Sequence, residues 1–274
     1  MTARRRRRVA IIANRAVEAG ASAQDALRER LDTADWEVLD DPGADASAVD
    51  VLVLLGGDGF LLETLVRFGY PSVPIFGVNF GTVGFHMNPQ ASLDTLAATL
   101  LEGTHAEDTY AVLAVRATLE DGGEVEALAF NDMLLERRTR QSVRLRVWVD
   151  DVLLNRFAGD GFVVATSAGS TAYNLAAGGP VVHPDLQAMV LTPLYPHQAA
   201  PFHSVQFSLA LPLASRLRFH ADDLPKRGLR LVADGRPIEP VTAAEIFDSG
   251  RRVRLLRVPT RGFPQTLSKK IIGE

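Results

Sequence analysis

The chain has 274 residues, enough for one large domain or two modest ones, and 47% of them are apolar, which supports a real core. Charged residues make up 23%, and the net charge of −4 gives no global push towards nucleic acid or a membrane surface. There is no cysteine, which excludes disulfides, thiolate metal sites and cysteine nucleophiles and fits a cytoplasmic protein.

In chain order, Arg4–Arg8 followed by Val9–Ala13 reads as a basic flank on a first strand. Its apolar stretch is too short for a signal peptide. The pattern then predicts a helix over Val17–Leu31, a short strand Trp36–Leu39 and a fully apolar strand Val51–Leu55. A helix Phe60–Phe68, a strand Val73–Val78 and a helix Leu93–Leu101 follow. This alternation predicts an α/β N-terminal domain with an open, mostly parallel sheet and helices on both faces. No window approaches ~18 apolar residues, so no membrane span is expected.

The texture changes between Gly103 and Tyr110. Val112–Leu119, Glu124–Glu136, Val143–Val149 and Val152–Ala158 read as successive strands. Asp121-Gly122-Gly123 and Asp150-Asp151 are turn signals among them. Strands are also expected at Phe162–Ala165, Met189–Leu191, Ser204–Leu209, Arg216–His220, Leu229–Ala233 and Val253–Val258, with one helix over Ser170–Ala177. The second part is therefore a β-rich C-terminal domain.

Five segments carry polarity or glycine where the setting is apolar. Gly56-Gly57-Asp58-Gly59 ends the apolar strand at Val51–Leu55. Its glycines allow a sharp turn and close ligand approach, and the following helix N-terminus favours phosphate. A carboxylate there repels phosphate unless a metal screens it or it has chemistry to do, such as orienting an attacking hydroxyl and taking its proton. An ordinary strand-to-helix turn with an N-terminal Asp is the alternative. The second segment, Gly77–Phe85, has the glycine content of a ligand-hugging loop, and Phe85 is either a base-stacking ring or a core aromatic.

Phe130-Asn131-Asp132 interrupts an apolar run. Asn offers the donor and acceptor that adenine recognition needs, and a carboxylate accepts from both hydroxyls of a ribose; a bulge is the alternative. Gly159-Asp160-Gly161 with Ala165–Tyr173 is either a phosphate or ribose cradle or a simple N-cap. Ala233-Asp234-Gly235 reads alone as a β-turn. The six histidines show no i, i+4 pair of zinc-ligand type. There is no nucleophile elbow, no Walker loop and no dinucleotide fingerprint in a first strand–helix turn.

Taken in order, these segments resemble the NAD kinase family from Val9 to about Lys270. The carriers are GGDG at 56–59, PIFGVNFGTVGF at 74–85, Phe130-Asn131-Asp132, and Asp160-Gly161 with TSAGSTAY at 166–173. Ala177-Gly178-Gly179-Pro180, Leu191-Thr192-Pro193 with Pro196-His197, and Asp234-Gly235-Arg236 complete the series. The resemblance implies a two-domain fold: residues 1–105 with 259–274 form the α/β domain with the GGDG turn, and 106–258 form a β-rich NAD-binding domain. It implies transfer of a phosphoryl group from ATP or polyphosphate to the 2′-hydroxyl of the adenosine ribose of NAD, giving NADP. Mg²⁺ or another divalent cation would screen the donor, and the protein would be a cytoplasmic homodimer or homotetramer.

By position, the resemblance makes Asp58 the catalytic carboxylate and Gly56, Gly57 and Gly59 the phosphate turn. Phe85 would stack near the adenine, Asn131 would meet the adenine end and Asp132 the ribose hydroxyls. Asp160, Thr171, Ala172 and Tyr173 would line the nicotinamide and ribose side, and Asp234 would sit near the phosphates. It assigns no residue to the metal. This chain has Asp132 where the family usually has Glu, Ser167-Ala168 where it often has Pro-Thr or Pro-Ser, and Phe60 where Thr is common. Two other readings stay open on the residues: a lipid or sugar kinase sharing the GGDG turn, and a non-catalytic dinucleotide sensor.

Overall fold

The computed structural model describes residues 5–33, 35–39, 42–43, 45–82, 84–90, 93–198, 201–259 and 262–273. Arg4 of the arginine run, Val83 of the glycine-bearing loop, and Thr260, Arg261 and Glu274 of the expected C-terminal return lie outside them. The chain forms two units, residues 1–109 with 252–274 and residues 110–251.

In chain order the first unit contains β1 (Arg7–Ala13), α1 (Glu18–Leu31), β2 (Trp36–Leu39), β3 (Val51–Gly56), α2 (Asp58–Arg67), β4 (Ile75–Asn79) and α3 (Leu93–Leu101). β3 lies between β1 and β4, and β1 pairs with β2, all in parallel. All six residues of β3 are buried, as a parallel strand covered on both faces requires. Leu27 and Leu31 of α1 and Leu96 and Leu100 of α3 share a core with Val9, Ile11, Val53, Leu55 and Phe76. Leu52 and Leu54 alternate to the other face. The arginine run is held at the edge: Arg5 pairs with Asp50 (3.6 Å), Arg6 with Asp32 (2.7 Å) and Arg8 with Glu37 (3.1 Å), while Arg7 stacks on Trp36. Its charge is spent within the fold, consistent with a flank on the first strand.

The second unit is strand-rich. It contains most of β5 (Ala106–Leu119), then β6 (Glu124–Ala129), β7 (Asp132–Arg137), β8 (Val143–Val149), β9 (Val152–Gly159) and β10 (Gly161–Ala165). A 3₁₀ turn (Gly169–Thr171) and the short helix α4 (Tyr173–Ala176) follow. β11 (Ala188–Leu194), β12 (Leu209–Pro212), β13 (Leu217–Asp222), β14 (Leu229–Ala233) and most of β15 (Arg236–Arg257) complete it. One antiparallel path runs β12-β11-β10-β7-β14-β15, and β15 also pairs with β13, which continues to β8 and β9. Inward positions from both limbs fill one core, with Phe157, Phe162 and Phe219 in ring contact at its centre. Asp150-Asp151 and Asp234-Gly235 are two-residue hairpin turns with positive φ at both positions, the twist-matched type that Asp and Gly favour. The C-terminal end of β15 returns to the first unit, where Leu255 pairs in parallel with Ile75. It leads to α5 (Phe263–Leu267).

Several expectations need correction. α2 begins at Asp58, two residues before Phe60, because extended Gly57 serves as its N-cap (φ −119°, ψ −175°). The expected single strand Glu124–Glu136 is broken at Phe130-Asn131 into β6 and β7. Of the expected strand Ser204–Leu209 only Leu209 is in a strand, since Ser204 and Val205 bond to Ala158 and Asn155 as loop residues. The expected helix Ser170–Ala177 is a 3₁₀ turn and one helical turn, separated by Ala172 in a non-helical conformation.

Candidate active site

In the first unit the two glycine-bearing loops meet at the carboxyl ends of β3 and β4. Phe80 N–H donates to Gly56 C=O (2.7 Å), and a Cβ on Gly57 would lie 3.7 Å from the Gly81 Cα. The Asn79 side chain braces the second loop. It accepts from Gly81 N–H (3.0 Å) and fills the space beside Gly84, whose φ of +59° and 2.1 Å clearance exclude a side chain. Beside Gly59, by contrast, a Cβ would meet nothing within 4 Å, so the first turn of α2 has open space on that side.

Asp58 is the first residue of α2, where a negative charge suits the helix dipole. Its carboxylate crosses to the second loop: Oδ2 accepts from Phe85 N–H (2.6 Å) and Oδ1 from His86 N–H (3.0 Å). Each oxygen keeps a further lone pair. The carboxylate is thus fixed in direction yet still able to accept. Phe85 is only 6% exposed, with its ring edge-on to those of His86 and Phe263, so it is packed as a core aromatic here.

In the second unit the break between β6 and β7 presents Asn131 and Asp132, both half-buried. Asp234, on the β14–β15 turn, holds this break. Its Oδ2 accepts from Phe130 N–H (2.7 Å), and its Oδ1 from Asn131 N–H (2.9 Å) and Asp132 N–H (3.2 Å). Asn131 Oδ1 is buried and has no hydrogen-bond partner among the described residues, which leaves an acceptor in need of a donor. Burial, with the Asp234 charge adding to it, raises the Asp132 carboxyl to about 7.

The 166–173 loop packs against the same break. Thr166 Oγ1 donates to Phe130 C=O and accepts from Gly169 N–H (3.1 Å). Ser170 Oγ bonds Ser167 C=O (2.7 Å) and accepts from Val182 N–H (3.0 Å), so the loop is tied down without a proline at 167. Thr171 and Ala172 are half-buried beside Tyr173, which is 47% exposed. Partial burial, then the charge of Glu136, raises the Tyr173 phenol above its ordinary value. Tyr173 and Asp160 line one cleft of about 280 Å³ with Glu136, Arg137, Leu194 and Tyr195. There Asp160 is ion-paired to Arg137 (2.8 Å). Asp160 and Asp132 are not neighbours: Ala165 pairs with Asp132 and Gly161 with Glu136, and Asp160 lies one residue beyond that ladder, opposite Arg137, roughly 16 Å from Asp132 at strand spacing.

Composition and spacing missed several residues that matter locally. Asn174 is fully buried, donates to Ser170 and Pro180 carbonyls and accepts from Thr192 Oγ1 (2.7 Å), tying α4 to β11. Asn88 donates to Gly77 and Leu256 carbonyls and accepts from Val258 N–H, fixing the returning end of β15. A lone Asn in the sequence gives no warning of such a role. Among the described residues no group of three or more His, Asp or Glu side chains is arranged to hold a metal ion, and no helix is long and apolar enough to cross a membrane.

Comparison with known proteins converges on one family. The ATP-NAD kinase N-terminal domain matches residues 9–105, and the ATP-NAD kinase C-terminal domain matches 130–205. An NAD kinase of Xylella fastidiosa is 34% identical over 220 residues, covering 80% of this chain and 82% of its own. One from Brucella suis is 36% identical over 206 residues, covering 74% and 77%. Among solved structures, yeast NADH kinase complexed with NADH superposes with a TM-score of 0.81 at 22% identity, covering 98% of this chain and 88% of that one. An NAD kinase from Archaeoglobus fulgidus in complex with ATP gives 0.76 at 24% identity, covering 95% and 99%. With the same two domain types in the same order, the chain belongs to the NAD kinase family.

Proposed function

We propose a division of labour between the two units for the reaction of this family, phosphoryl transfer to NAD to give NADP. The α/β unit handles the donor phosphates and the proton, and the β-rich unit holds the NAD. The observation that carries the reading is the Asp58 carboxylate, held in direction by two main-chain N–H groups at the N-terminal end of α2.

The 2′-hydroxyl oxygen forms a bond to the γ-phosphorus of ATP, its proton passes to Asp58, and the bond to the β–γ bridging oxygen breaks to release ADP. A carboxylate suffices as base, because the transition state is loose and positioning dominates. Gly56, Gly57 and Gly59 let phosphate oxygens approach the N–H groups of the turn. A polyphosphate chain would offer the same oxygens as ATP. Asn131 Oδ1, buried and unpartnered among the described residues, suits the exocyclic amino group of adenine. Asp132 suits the ribose hydroxyls, and Thr171, Ala172, Tyr173 and Asp160 the nicotinamide side. Phe85 contributes a ring edge. The divalent cation, Mg²⁺ in this reading, arrives on the donor's phosphates. A cytoplasmic homodimer or homotetramer is the proposed form, to be checked by solution mass.

The test is an end-point assay with NAD, ATP and Mg²⁺, reading NADP⁺ through an NADP-specific dehydrogenase, with polyphosphate as a parallel donor. NADP⁺ formation is expected. Phosphorylation of diacylglycerol or fructose 6-phosphate with NAD inert would replace the reading with a different kinase. Tight NAD binding with no product from any donor would make the protein a sensor.

A further inference from the structure

The break takes Phe130 and Asn131 out of regular strand pairing and leaves Asp132 at the first pair of the β7–β10 ladder, so the main-chain groups around it must find other partners. The donors go to a single side chain. Both oxygens of Asp234 are occupied by the N–H groups of Phe130, Asn131 and Asp132, and the Asp234 N–H donates back to Asp132 C=O (3.1 Å). The other two carbonyls go to one residue: Thr166 main-chain N–H donates to Asn131 C=O (2.9 Å), and its Oγ1 to Phe130 C=O (2.5 Å). Gly169 closes the arrangement, because a Cβ there would stand 2.0 Å from the Asn131 carbonyl oxygen. The backbone of 130–132 is thus gripped from both sides, and the side chains of Asn131 and Asp132 are left for a ligand.

We infer that Asp234 is a positioning residue that, with Thr166, fixes the backbone of residues 130–132 and so aims Asn131 and Asp132 at the nucleotide without touching it. The inference rests on the assignment of the adenosine to Asn131 and Asp132. It departs from the expectation that Asp234 meets phosphates. Its carboxylate is turned into the main chain, and a bare carboxylate beside phosphate is repulsive. The arrangement leaves a mark on titration. Asp234 is the charged group acting on the Asp132 carboxyl; Tyr173, at the start of α4, is the other titratable group that senses it. Ala165, paired across from Asp132 on β10, carries no charge. Removing the Asp234 charge therefore lets Asp132 ionise at lower pH.

The experiment is calorimetric titration of the full chain with NAD from pH 5.5 to 8.5, alongside steady-state KM values for NAD and MgATP. In Asp234→Asn the KM for NAD is expected to rise about tenfold with the KM for MgATP nearly unchanged. The midpoint of the pH dependence of NAD binding should fall, while burial keeps it above the ordinary aspartate value. Thr166→Val should weaken NAD binding in the same way and Thr166→Ser should restore most of it, which keeps the test valid if Asp234→Asn folds poorly. Wild-type NAD affinity in both Asp234→Asn and Thr166→Val would overturn the inference. So would a loss of NAD affinity in a folded Asp234→Asn that Thr166→Val does not share, because a direct contact by Asp234 predicts that pattern. Undiminished NAD binding by Asn131→Ala would instead overturn the adenosine assignment beneath it.

Discussion

Asp132 and Asp58 are two aspartates with opposite surroundings. Burial and the neighbouring Asp234 raise Asp132 to about 7, so near neutrality it is caught between its two forms. Only the ionised form accepts from two ribose hydroxyls. NAD binding should therefore tighten by about tenfold from pH 6 to pH 8, following the ionised fraction, and calorimetry on Asp132→Asn should lose that slope. Stability runs the other way. The unfolded chain ionises this group near its ordinary value, the native one only near 7, so its contribution to stability falls as pH rises from about 4 to about 7. Asp132→Asn should thus raise the melting temperature at pH 8 and change it little at pH 4. Asp58 is instead oriented by two N–H donors. Asp58→Asn keeps a side-chain oxygen for one of them and loses the proton acceptor. A kcat loss of about 10²–10⁴ with NAD still bound is expected; turnover near the wild-type rate in stopped assays would remove Asp58 from proton transfer.

At the scale of elements, the site depends on glycines that no side chain could replace. Gly161 opens β10 with φ +144°, and a Cβ there would stand 1.8 Å from the Leu135 carbonyl oxygen of β7. That neighbour is backbone and cannot swing away. Gly161→Ala should therefore cost about 3 kcal/mol or more, seen as a fall in the urea midpoint with the slope unchanged. A midpoint within error of wild type would mean that β7 and β10 are less tightly paired. The same elements show what the sequence could reveal. Leu93–Leu101 was readable because its apolar residues repeat at helical spacing, and Val51–Leu55 because five buried positions in a row suit a parallel strand. The break between β6 and β7 was visible only as two polar residues in an apolar run. Its cause is Asp234, some hundred residues away, and no local pattern carries a contact of that range. The Asp234-Gly235 pair was legible as a turn, and it is one. That its side chain also anchors a second segment was not, since turn chemistry and long-range acceptance use the same residue type. The motifs of the site were legible through resemblance, and their mutual bracing by Asn79, Thr166 and Asn174 was not.

For the molecule as a whole, the question is where the proposed divalent cation would be held. The acidic residues of the proposed site are already engaged: Asp58 by Phe85 and His86, Asp234 by residues 130–132, and Asp160 by Arg137. No cluster of three ligands stands ready among the described residues. A cation that enters on the donor's phosphates needs no such cluster, because Mg²⁺ commonly keeps waters and binds through phosphates. The two cases differ in a measurable way. A resident ion at a hundredfold excess over its Kd would stabilise the fold by about 2.7 kcal/mol, equal to roughly 5–10 °C in a chain of this size. EDTA-treated protein is therefore expected to keep its melting temperature and its NAD binding while losing all turnover. Activity should return as the MgATP complex, rather than free Mg²⁺, is titrated back. A fall of several degrees on chelation, reversed by Mg²⁺ without nucleotide, would show that the protein itself holds the ion.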